Sequence, residues 1–147
     1  MLGKDTGPEL LRLKQLRDAL KGRGYGASFI KELPEIPMMS NEEKVRMWSM
    51  ASRFCVMIDD VPSGHIAEYQ ILKSQRSILA LLRPRGRGST FMIGDDPIVD
   101  TNHIAVFEFD HTPLAKVDEA IEWAEAIAKT REDGYGAAYP WRHTTPR

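Results

Sequence analysis

The chain has a single cysteine, Cys55, among 147 residues, so no internal disulfide can staple it. It also lacks an apolar run long enough to span a bilayer, and no secretory leader is visible; a cytoplasmic protein is the expectation. Neither sign of charge dominates: the net charge is −1, which removes any global pull toward nucleic acid or membrane. Metal-ligand spacing is missing too. His65, His103, His111 and His143 are scattered, and His65 has no ligand partner nearby in sequence. There is no P-loop, no Gly-x-Ser-x-Gly elbow and no internal repeat. What remains is an ordinary globular composition, 42% apolar and 28% charged, which argues against disorder and gives one domain enough apolar residues for a core.

Periodicity supplies the elements. Leu10, Leu13, Leu16 and Leu20 form a helical stripe over 8–21, with Thr6 and Glu9 matching a capping box and Gly22 or Gly24 as the stop. Residues 27–33 read as a short strand closed by Pro34 and Pro37. A helix over 41–50 follows, capped by Ser40, with Val45 and Trp48 turned inward. Residues 54–58 are the clearest strand, and 65–73 the next helix. Residues 77–82 form an apolar run suited to a strand covered on both faces, and 104–109 the last strand. A helix from Pro113 to about Arg131 closes the body. Cys55 falls within a strand and reads as a buried, inert thiol.

Strand and helix alternation predicts an α/β fold: a parallel sheet with helices on both faces, the turns after the strands gathered at one edge. The first strand is short or missing, because only five residues precede Thr6. The domain is set at 1–131, with a tail over 132–147 that carries Tyr135, Tyr139 and Trp141.

The stretch from Arg53 to Tyr69 holds the chemistry. An apolar strand runs into Asp59-Asp60-Val61-Pro62-Ser63-Gly64 and then a helix with Glu68 near its start. A helix N-terminus favours the ionised carboxylate. Such a carboxylate beside a sugar carbon can stabilise an oxocarbenium-like transition state or attack it. Asp59 and Asp60 can accept from ribose hydroxyls, while Ser63 and His65 offer a hydroxyl and an imidazole to the same cleft. Equally, a glutamate in a first helical turn and an Asp-Asp strand end are common features of ordinary structure.

Between Tyr69 and Gly94 there is no acidic residue, and Arg83, Arg85 and Arg87 stand in an Arg-Gly loop after a buried strand. Arginine forks and glycine-exposed N–H groups suit phosphate. The same loop reads as solvated, or as paired with Asp95, Asp96 and Asp100. Nucleic acid is disfavoured, because Phe91 is the only ring near it.

The segment Ile58-Asp59-Asp60-Val61-Pro62-Ser63-Gly64-His65-Ile66-Ala67-Glu68 resembles the acidic-turn, Gly-x-x-x-Glu signature of nucleoside 2-deoxyribosyltransferases and related nucleotide N-glycosidases. TIR-type NAD-cleaving domains place a glutamate similarly. The resemblance implies a flavodoxin-like sheet and a catalytic Glu68. Gly3 is similar to that family's early glycine at the cleft, and Ser52 to the serine before the strand. It further implies an enzyme, hydrolase or transferase, that cleaves or transfers at the N-glycosidic bond of NAD or a nucleoside monophosphate without a cofactor, and a possible homodimer that completes the cleft. The alternative is a non-catalytic nucleotide-binding or assembly module of the same fold.

Overall fold

A computed structural model describes residues 1–3, 6–60, 65–86 and 102–138; at His65 only the backbone is described. The elements are α1 (Gly7–Gly22), α2 (Asn41–Ala51), β1 (Cys55–Ile58), α3 (His65–Ser74), β2 (Leu79–Pro84), β3 (Ile104–Phe109) and α4 (Val117–Ala138). Two 3-10 turns, Ile30–Glu32 and Pro113–Lys116, lie between them.

The sheet is parallel, in the order β1-β2-β3. Outside β1, Leu2 makes a single parallel bridge to Met57: its N–H donates to Val56 O at 3.0 Å, and its carbonyl accepts from Ile58 N–H at 3.1 Å. The expected first strand is therefore reduced to one residue.

Strand residues alternate between two layers of core, as period-2 side chains must. Val56, Ile58, Ala80, Leu82, Phe107 and Phe109 pack with Leu13, Leu16 and Leu20 of α1 and Val117 and Ala120 of α4. Cys55, Met57, Leu79, Leu81 and Ile104 pack on the other side with Leu2 and with Tyr69 and Leu72 of α3. α2 lies against α3. Helices thus cover both faces, and the fold is α/β and flavodoxin-like.

Several expectations shift. Residues 27–33 do not form a strand. The Glu32 and Leu33 N–H groups bond back to Phe29 and Ile30, and Phe29 is buried under the Arg17 guanidinium, 5.0 Å from the ring centroid. Among the described residues no strand pairs with this segment, and local i→i+3 bonds satisfy its backbone instead. Thr6 is the N-cap of α1 but makes no side-chain capping bond. The capping box belongs to α2: Ser40 Oγ accepts from Glu43 N–H, and the Glu43 carboxylate accepts from Ser40 N–H.

The strand expected over 77–82 begins and ends two residues later and contains Arg83. The last helix runs beyond 131 to Ala138. Arg53 ties it down, holding both Glu125 and Glu132. No described helix is long and apolar enough to cross a membrane.

Candidate functional site

β1 delivers its acidic pair to the carboxyl edge of the sheet, where ligands of open α/β folds bind. Both acids are already engaged by arginines. Asp59 is buried; its N–H extends the sheet by donating to Leu82 O at 2.9 Å. Its Oδ2 accepts from Arg83 Nε and lies 3.0 Å from Nη2. The two side chains are 1% and 7% exposed, so this ion pair is interior. Asp60 Oδ2 accepts from Arg12 Nη1 at 2.9 Å; the Asp60 side chain is 3% exposed, that of Arg12 43%.

Arg83, expected on an arginine loop at the rim, thus sits within β2 with its guanidinium on Asp59. The reason is register: Arg83 pairs across the sheet with Glu108, and the end of β2 lies beside the end of β1. Arg85 is 60% exposed and lies 3.8 Å from Glu108 and 3.5 Å from Asp110, so it faces β3's end. Arg87 and Ser63 lie outside the described residues, as does the side chain of His65.

Glu68 stands in the first turn of α3, half-buried. It lines a cleft of about 220 Å³. Gly3 lines the same cleft, with φ +147°, a conformation open in practice only to glycine. A Cβ there would stand 3.1 Å from Leu13 Cδ2 and 3.4 Å from Ile58 O. The glycine and the glutamate that the sequence singled out are therefore brought together.

Among the described residues, the cations that line this cleft are Lys31 and Lys44, with Asn41 beside them. Lys44 is buried and paired with the exposed Glu35. Burial pushes the Met1 ammonium below its ordinary value; the Cys55 and Glu68 side chains act in the opposite direction. Burial likewise pushes the Cys55 thiol upward, which keeps it protonated and unreactive. Among the described residues no cluster of His, Cys, Asp or Glu is placed to hold a metal ion.

Sequence reading missed Lys31, Asn41, Lys44 and Arg12. The signal available was the Ser40–Glu43 cap, which fixes where α2 starts and so places Asn41 and Lys44 one turn apart. Comparison with known proteins adds no assignment: no family model, no curated protein and no solved structure matches the chain.

Proposed function

We propose that Glu68 acts at the N-glycosidic bond of a nucleotide, NAD or a nucleoside monophosphate, in hydrolysis or transfer. The observation that supports this reading is the shared cleft of Glu68 and Gly3, with Gly3 beside the Ile58 carbonyl at the end of β1. A cleft of about 220 Å³ suits the sugar, with the base and phosphate extending beyond it. As the C–N bond breaks, its electron pair leaves with the base: a purine or pyrimidine takes up a proton, whereas the nicotinamide of NAD, cationic while bonded, departs neutral without one. The Glu68 carboxylate stabilises the resulting cation, or bonds to the sugar carbon until water or an acceptor base displaces it. Lys31, which lines the cleft, is the cation proposed to meet phosphate, in place of Arg83. A cytoplasmic location and a homodimer completing the cleft belong to the same proposal.

The test is chromatographic detection of base release from NAD and a panel of nucleoside monophosphates. Wild type should turn over at least one of them, and Glu68→Gln should lose a hundredfold or more while melting at the same temperature. Equal turnover by both proteins, or none by wild type, rejects the proposal. Ligand-induced thermal stabilisation without turnover would establish the second reading, a binding module. That reading is favoured by the commitment of Asp59 and Asp60 to arginines.

A further inference from the structure

Lys44 lies one turn into α2 with its side chain 4% exposed, and its ammonium donates to Glu35 Oε1. Glu35 is the opposite: its side chain is 77% exposed, on the connection between the Ile30–Glu32 turn and α2. A buried lysine that holds a surface carboxylate is an uneven pair. The ammonium, withdrawn from water, needs an anion; the carboxylate is solvated with or without its partner.

Glu35 can swing away without disturbing its neighbours. Residues 34–38 are exposed throughout. The segment is fixed at both ends by bonds that do not involve Glu35: Leu33 N–H donates to Ile30 O, and Ser40 and Glu43 cap α2 reciprocally. Exposed segments that bury little apolar surface open at low free-energy cost.

Both partners line the Glu68 cleft, together with Lys31 and Asn41. Among the described residues, the charged side chains that line it are two lysines and two carboxylates, Glu35 and Glu68. With Glu35 swung out, cations outnumber anions there, and the buried ammonium in the cleft wall requires another anion. A phosphomonoester brings about two negative charges and three terminal oxygens, enough for both ammonium groups and the Asn41 amide.

We infer that Lys44 anchors a phosphomonoester in this cleft, and that the Glu35 carboxylate holds the position until the ligand displaces it. The inference deepens the reading of the cleft as a nucleotide site and rests on it. It makes a phosphate obligatory, since a free nucleoside leaves Glu35 on Lys44.

The probes are ribose 5-phosphate and ribose, followed by calorimetric titration. Neither carries a base, so binding reports on the anchor whether or not Glu68 cleaves anything. Wild type should bind ribose 5-phosphate about tenfold or more tightly than ribose. Lys44→Met should lose about tenfold or more in affinity for ribose 5-phosphate; its partner is exposed, so the change strands no buried charge and the variant should fold. Glu35→Gln should bind ribose 5-phosphate about threefold or more tightly than wild type, because the carboxylate no longer competes. In wild type, the Glu35 carboxyl and Lys44 side-chain resonances should both move on titration, a readout that requires no variant. Equal affinity for both probes, no binding at millimolar ribose 5-phosphate, undiminished affinity in folded Lys44→Met, unchanged or weaker affinity in folded Glu35→Gln, or unmoved resonances would each overturn the inference. Failure of these tests beside nucleotide turnover that depends on Glu68 would remove the anchor alone. Their success beside a wild type without turnover would remove catalysis alone.

Discussion

Removing the carboxylate of Asp59 should destabilise the domain far more than it changes any surface. Its partner Arg83 is 7% exposed at the side chain, and Asp59 is 1% exposed. Asp59→Ala therefore removes the buried carboxylate that the Arg83 guanidinium bonds. Breaking one half of a buried pair costs about 3–5 kcal/mol. For a domain of this length each kcal/mol lowers Tm by about 3 °C, so a fall of roughly 10–15 °C is expected. Arg83→Met should cost a similar amount, because it removes the other half of the same buried pair. Replacing both, Asp59→Ala with Arg83→Met, removes the desolvated charges together, and the double variant should recover most of the loss. Urea denaturation of the four proteins closes the cycle. The reasoning is wrong if each single variant costs less than about 1 kcal/mol, a value typical of solvated pairs. An Asp59→Ala protein that melts like wild type yet has lost turnover would return Asp59 to the ribose-binding role read from the sequence.

Two further outcomes follow from the same geometry. Gly3→Ala forces a Cβ into a left-handed backbone position 3.1 Å from Leu13 Cδ2; it should cost about 1–3 kcal/mol by chemical denaturation and weaken any ligand of the Glu68 cleft. Arg53, with a smaller contribution from Tyr25, holds the Glu125 carboxyl below its ordinary value of 4.5. Its folded pKa is depressed, so the stabilisation is complete above pH 4.5 and is lost as pH falls through the lower folded value. Wild type should therefore lose urea resistance more steeply than Glu125→Gln below pH 4.5, and parallel acid limbs would contradict this.

The elements that the sequence revealed are those whose information is local. The apolar run around Cys55–Ile58, the apolar stripe of α1 and the Ser40 cap each lie within a dozen residues, and each is present in the structure. Arg83 was misplaced because its environment comes from Asp59, 24 residues away, and an arginine followed by proline looks locally like a loop. Residues 27–33 have strand composition, but among the described residues no strand pairs with them; Arg17 and Glu32, 15 residues apart, hold the turn that forms instead. At the candidate site, Glu68 and Gly3 were legible because a turn and a glycine mark them. Lys31 and Lys44 were not, since nothing in a surface-like lysine announces that distant chain segments converge on it.

Leu2 is held to the sheet by two main-chain hydrogen bonds, is buried with Met57, Tyr69 and Leu72, and also borders the Glu68 cleft. One anchor residue thus serves the core and the cleft wall together, so loosening it would thin the first and widen the second.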